Sequence, residues 1–284
     1  MRLTSFLLAG FGLFCASLVL AQSPCENGVA AGYPCDQVDL MGFVPSSDMG
    51  GGDAEDLWGW TDPLDGREFA IVGMAGGTAF VDVTDPANAI VVGTLPTHTT
   101  SSLWRDVKVH ANHAFIVSEA SGHGLQVFDL TRLRNVANPP LVFTEDAHYS
   151  GFGNCHNIAI NEASGRAYAV GTGTFSGGLH ILDISVPTSP SLIGSFAEDG
   201  YTHDAQVVMY AGPDADHTGK EIAFAFNENS IAIVDVTNAG DPAMISNTGY
   251  AASADTHQGW LTEDQRYLLV NDELDEDGSV NTRT

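Results

Sequence analysis

Basic residues are scarce in this chain. Lys and Arg together number 10 against 36 Asp and Glu, which gives a formal net charge of −26. A surface of that sign repels nucleic acid and anionic membranes, so both are excluded as partners. No segment sustains a helical apolar period. No glycine loop of the nucleotide-binding kind is present, no HExxH zinc helix and no G-x-S-x-G elbow, so those routes to nucleotide chemistry, zinc proteolysis and acyl transfer are closed. Long apolar runs are confined to one place, Leu3–Leu20. Cysteine is limited to 4 residues.

The apolar run follows Arg2 and ends in "VLA", a small-residue cleavage pattern that reads as a secretory signal peptide over residues 1–21, leaving Gln22 as the mature N-terminus. The mature chain then has no membrane span, and its charge becomes 9 − 36 = −27. Cys15 leaves with the leader. Cys25 and Cys35 bracket the short loop "CENGVAAGYPC" and are expected to pair in an oxidising compartment. Cys155 is left as an odd thiol, to which no role is assigned. Hydrophobic residues make up 44% of the chain, enough for a sizeable core.

An internal repeat is marked by aspartates. "AFVDVTDP", "LQVFDLTR", "LHILDISVP" and "IAIVDVTNAGDP" place Asp82, Asp129, Asp183 and Asp235 at intervals of 47, 54 and 52 residues. A period near fifty is the size of one four-stranded propeller blade. Each unit reads as four short strands separated by turn residues, for example "RDVKVH", "AFIVSE", "LQVFDL" and "LVFTE". The repeated Asp is expected to cap the turn that follows it. The fold class expected is all-β, a propeller of four-stranded antiparallel blades, with about five blades represented and the chain stopping inside the last. The expected division is a leader over 1–21, an N-terminal segment over 22–55 with the local disulfide, and propeller repeats over 56–284. In the N-terminal segment "VDLMGFVP" is a candidate ring-closing strand.

These repeats, together with "YPCDQVDL", "DLWGWTDP", "HAFIVSEASGHGLQVFDLTRLRN", "YTHDAQVV" and "HQGWLTEDQRYLLVNDELDE", resemble the choice-of-anchor B family, whose members carry LVIVD-type repeats. The resemblance covers nearly the whole mature chain. It implies a secreted, propeller-like protein located outside the cell or at its surface. It also implies a domain that continues past Thr284 to a C-terminal surface-sorting tail. No activity is attached to the family.

Four strands open on polar pairs: Arg105–Asp106, His156–Asn157, His203–Asp204 and His257–Gln258. In a propeller the first strand of each blade lines the central channel, so these pairs are expected to form a ring at one mouth. Three readings stay open. The groups could satisfy one another and the strand ends. His156, His203 and His257 could hold a divalent transition metal, with Asp204 as a fourth ligand or an orienting partner. An organic anion could bind, with Arg105 as its clamp. Calcium is a further candidate at the acidic stretches "NDELDEDG" and "PDADHTG". His110, His113, His123 and His148 are expected on turns or faces. The function expected is a non-catalytic scaffold for an extracellular protein, glycan or small ligand. The alternative is a metal-dependent hydrolase or oxidoreductase with its site at the channel mouth.

Overall fold

The computed structural model describes residues 22–251 and 253–274. The expected leader over 1–21 lies outside the described residues, as does the acidic run from Asp275 onward. Among the described residues there is no α-helix, and no helix long and apolar enough to cross a membrane. Two compact units are present. The smaller comprises the N-terminal residues to Phe43 with Asp85–Ala89, and the larger comprises the rest.

The small unit is tied by the Cys25–Cys35 disulfide, which closes over the two-residue strands Val29–Ala30 and Tyr33–Pro34. The Cys25 N–H donates to Asp39 Oδ1 (2.8 Å). Leu40 bridges Ser23. Gly42 passes so close to Pro86 that a Cβ would stand 2.0 Å from its carbonyl oxygen, so no other residue fits there. "VDLMGFVP" forms no propeller strand. Its backbone pairing goes to Ser23 within this unit, which corrects the expected ring closure.

The large unit is a succession of antiparallel sheets. The first blade holds Ala54–Thr61, Glu68–Met74, Gly77–Asp82 and Ile90–Pro96; the second holds Arg105–His110, His113–Ser118, Leu125–Asp129 and Ala147–Tyr149. The third holds Asn157–Asn161, Arg166–Val170, Leu179–Asp183 and Ser191–Phe196; the fourth holds Asp204–Met209, Glu221–Asn227, Ser230–Asp235 and Ala243–Thr248. Thr256–Leu261 and Leu268–Asp272 begin a fifth. Blade 2 departs from the expected strand order. Leu141–Val142 of "LVFTE" pairs in parallel with Gly93–Thr94 of blade 1, and Ala147–Tyr149 takes the outer place in blade 2.

The blades stack face to face, because their middle strands are apolar on both sides. In His113–Ser118, Ala114 and Ile116 pack with Phe80 and Leu95 of blade 1, while Phe115 and Val117 pack with Ile158 and Leu182 of blade 3. Tyr168 and Val170 meet Ala223 and Val234 between blades 3 and 4. Phe224 and Phe226 meet Leu261 between blades 4 and 5. Burial of each Val, Leu, Ile or Phe among them stabilises by roughly 1.5–3 kcal/mol.

The repeated aspartates do what their position requires. Asp82, Asp129, Asp183 and Asp235 each end a third strand and accept the backbone N–H two residues on, from Thr84, Thr131, Ser185 and Thr237, at 2.8–3.1 Å. The turn toward the fourth strand is thereby satisfied locally.

Polar side chains tie each blade to the next. Asp56 Oδ2 accepts from Val107 N–H (3.3 Å), Asp106 Oδ2 from Ile158 N–H (2.8 Å), and Gln206 Oε1 from Leu261 N–H (2.8 Å), while Asn157 Nδ2 donates to the His203 carbonyl (3.0 Å). Farther out, Arg134 grips the buried Asp62 carboxylate with both arms (2.6 Å each), and Arg166 Nη1 reaches Glu221 (2.6 Å). Asp62 is held below its ordinary pKa chiefly by the Arg134 hydrogen bonds.

Candidate functional site at the channel mouth

The inner strands of successive blades pack against one another. Their leading ends enclose a cavity of about 250 Å³, lined by Asp106, Lys108, His156, His203, Asp204 and His257 among others. All eight residues of the sequence-derived ring contribute to its wall, although their side chains do not share one task.

The three imidazoles come together. His156 and His203 have ring centroids 4.2 Å apart, and His203 and His257 have theirs 4.5 Å apart, both pairs edge to face. His156 Nε2 lies 2.9 Å from His203 Nε2, and His156 Nδ1 lies 2.7 Å from Glu119 Oε1. His257 Nε2 stands 3.9 Å from Glu273 Oε2. Ligand atoms of His203, His257 and Glu273 all lie within 4.8 Å of one another. Gly171 makes room for this stack: with φ +60° it sits where a Cβ would fall 2.5 Å from the Cβ of His156. His203 is pushed down to about 4, first by burial and then by the His156 and His257 charges. Its Nδ1 is enclosed and has no hydrogen-bond partner among the described residues.

Beside the imidazoles lies a carboxylate cluster around one ammonium group. Lys108 Nζ bonds Asp106 Oδ1, stands 3.7 Å from Asp56 Oδ2 and lies 4.7 Å over the Trp58 ring. Burial alone would lower the Lys108 pKa, but Asp106 and Asp56 outweigh it and the group stands above its ordinary value. Asp56 is raised to about 6 by burial and by the adjacent Asp106. Asp204 is raised by burial. Among the described residues it accepts its neighbour's Ala205 N–H (2.7 Å) and does not join the His203, His257 and Glu273 cluster.

Arg105 requires a correction. Its backbone lies at the mouth, yet its guanidinium is buried and turned toward blade 1. It donates to the Met74 carbonyl (3.0 Å), Thr97 Oγ1 (2.8 Å) and His123 Nε2 (2.9 Å). It is therefore no clamp for an anion in the cavity, and burial draws its pKa down to about 10. The cation at the site is Lys108. Asp106 and Asn157 serve as the inter-blade ties described above. Gln258 is exposed on the edge strand. His123 closes a turn, its N–H donating to the Ala120 carbonyl (3.0 Å), and is fully buried. Cys155 is fully buried, its thiol raised by burial and directed at the Asn157 and Val170 carbonyls.

Neither acidic stretch gathers its own carboxylates into an oxygen-ligand site of the calcium kind among the described residues. Asp214 of "PDADHTG" caps its own turn through Asp216 N–H (3.1 Å). The described part of "NDELDEDG" uses Asp272 to accept from Ala254 and Asp255 N–H and from the Tyr250 hydroxyl.

Glu119 was not among the expected site residues, and Glu273 was expected only within the acidic stretch "NDELDEDG". Both follow directly on a second strand, in "VSE" and "NDE", and the equivalent place in blade 4 is Glu228 of "FNE". An acid recurring there was the signal in the sequence.

An all-β chain of stacked four-stranded blades with a polar cavity where their inner strands meet is a β-propeller. Comparison with known proteins agrees. The LVIVD repeat family matches residues 172–198 and 223–248, which fall in blades 3 and 4. No curated protein sequence matches the chain. Among solved structures, a functionally unknown protein from Desulfotomaculum acetoxidans is similar at 15% identity, covering 82% of this chain and 70% of its own, with a TM-score of 0.53. Kuenenia stuttgartiensis hydrazine synthase is similar at 16% identity with a TM-score of 0.51. The match covers 72% of this chain, which spans about half, 52%, of that one. A protein from Lactobacillus plantarum matches at 13% identity over 77% of this chain and 59% of its own, with a TM-score of 0.50. At these identities the likeness is one of fold.

Proposed function

We propose that the protein is a non-catalytic binding scaffold of the choice-of-anchor B type, acting outside the cell or at its surface. It holds a protein, glycan or small ligand at the mouth of its propeller channel. The carrying observation is the cavity itself: inner strands of successive blades deliver imidazole, carboxylate, carboxamide and ammonium groups to one polar concavity. Among the described residues its walls offer no hydroxyl or thiol, and its amine is neutralised by Asp106 and Asp56. That supports recognition over covalent chemistry. The leader over 1–21 and the Cys25–Cys35 bridge support an oxidising, extracellular setting. The acidic surface supports partners other than nucleic acid.

The test is a panel of chromogenic ester, phosphoester, glycoside and peptide substrates with a redox dye, offered to protein recovered from the culture medium. No turnover above that of a His203→Ala variant is expected. Turnover abolished by that substitution would overturn the scaffold reading in favour of an enzyme. Retention of the protein inside the cell would overturn the location.

A further inference from the structure

We infer that His203, His257 and Glu273 form a binding site for one divalent transition metal ion of the zinc class. The inference rests on the reading of the channel-mouth cavity as the ligand site and names that ligand's chemistry.

Three donors from separate elements converge. His203 precedes the inner strand of blade 4, His257 lies on the inner strand of blade 5, and Glu273 follows the second strand of blade 5. Their ligand atoms fall within 4.8 Å of one another. Ligands around a tetrahedral ion at about 2.0–2.2 Å stand roughly 3.5 Å apart, so closure asks each donor to move by about an ångström. The donors have that freedom. Glu273 is half exposed and His257 partly so, at 49% and 28% of their side-chain surfaces.

A second feature is independent of this spacing. Among the described residues the enclosed His203 Nδ1 has no hydrogen-bond partner. A buried imidazole nitrogen left unsatisfied is costly in a structural ring, but it is a natural lone pair for an ion. A third is the chain Glu119–His156–His203, at 2.7 and 2.9 Å. It orients the His203 ring from behind, as carboxylate–imidazole relays orient metal-bound histidines.

The donor set selects the ion. Two imidazoles and one carboxylate suit zinc and its neighbours, whereas calcium and magnesium call for oxygen ligands alone. Three protein ligands leave a coordination position open to the cavity, where a ligand's own donor atom would complete the shell.

The test uses full-length mature protein carrying no histidine tag, stripped with a chelator and titrated with Co(II). The visible absorption of the bound ion is read and then displaced by Zn(II). One saturable equivalent is expected. His257→Ala and Glu273→Gln should each weaken it by about tenfold or more, while His98→Ala, at the exposed Glu145 pair, should leave it unchanged. Glu273 is exposed, so its variant tests the site without burdening the fold. Absence of saturable cobalt binding, or binding indifferent to both substitutions, overturns the metal site. Either result leaves the scaffold reading standing, since substrate turnover decides that separately.

Discussion

His156 and His203, 47 residues apart in the chain, meet with their Nε2 atoms 2.9 Å apart. Two imidazole nitrogens at that distance share one proton. His156 Nδ1 faces the Glu119 carboxylate and so carries a proton. In the neutral pair His156 Nε2 therefore accepts, and His203 Nε2–H donates. Nitrogen-detected NMR of the histidine side chains should find His156 as the Nδ1–H tautomer. Glu119→Ala should loosen that preference at a stability cost below about 1 kcal/mol, because the carboxylate is a third exposed. A His156 protonated only on Nε2 would contradict the network.

Asp106 is expected to matter more for stability than its place at the cavity suggests. It accepts from Ile158 N–H of the next blade (2.8 Å) and from Val107 N–H (2.7 Å), and it pairs with Lys108. Asp106→Ala strips the buried Ile158 N–H of its acceptor and leaves Val107 N–H and Lys108 with the longer Asp56 contacts, at 3.3 and 3.7 Å, which costs on the order of 3 kcal/mol. Asp106→Asn keeps one carbonyl oxygen and should cost less. Urea unfolding of the two variants measures this. An alanine variant within about 0.5 kcal/mol of the parent would remove Asp106 from the ties between blades.

Acid should weaken the fold through two buried histidines. His123 and His180 are buried, and both are drawn down to about 4, chiefly by burial. His123 Nε2 accepts from the Arg105 guanidinium, so a proton there would oppose a fixed cation. His180 is held by Thr174 and Tyr149, at 2.9 Å each. The unfolded chain binds these protons near pH 6.5 and the folded chain only near pH 4. Stability is therefore complete above about 6.5 and falls as pH drops toward 4, by up to about 3 kcal/mol per histidine. Urea midpoints at pH 7.5, 6 and 5 should decline, and His180→Gln should flatten part of the slope. Equal midpoints from pH 7.5 to 5 would contradict both assignments.

Cys25 and Cys35 should appear linked in a peptide map made without reduction, and Cys155 should resist alkylation until the protein unfolds. Replacing both bridge cysteines by Ser should cost the small unit roughly 2–3 kcal/mol in the loop-entropy picture. Rapid native-state alkylation of Cys155 would show that the seam between blades 2 and 3 opens.

The blade repeat was legible because its marker has a local cause. An Asp that caps the turn after a third strand must recur wherever that turn recurs, so Asp82, Asp129, Asp183 and Asp235 announced the period directly. The convergence of His156, His203 and His257 followed from the same register. Arg105 occupies the equivalent position, but register places a backbone and leaves the reach of a long side chain undetermined. Its guanidinium found the Met74 carbonyl and His123 behind it. Lys108 escaped notice because, three residues into a strand, it reads as a solvated face. Only the packed neighbours Asp56 and Trp58 make it part of the cavity. "LVFTE" was misplaced because short apolar strands carry no label for the sheet they join, and Gly93 of blade 1 leaves the space that Leu141 and Phe143 occupy.

The use of basic side chains as ties between sheets also bears on degradation. Trypsin-like proteases cut after Lys and Arg. In this chain Arg105 is sealed between blades, Lys108 is held by carboxylates, Arg134 is locked on Asp62, and Arg166 on Glu221. Arg266 differs, standing 59% exposed on the turn that joins the two strands of the fifth blade. Cleavage after those four tied residues must wait for a seam between blades to part, so its rate is set by how seldom the sheets separate.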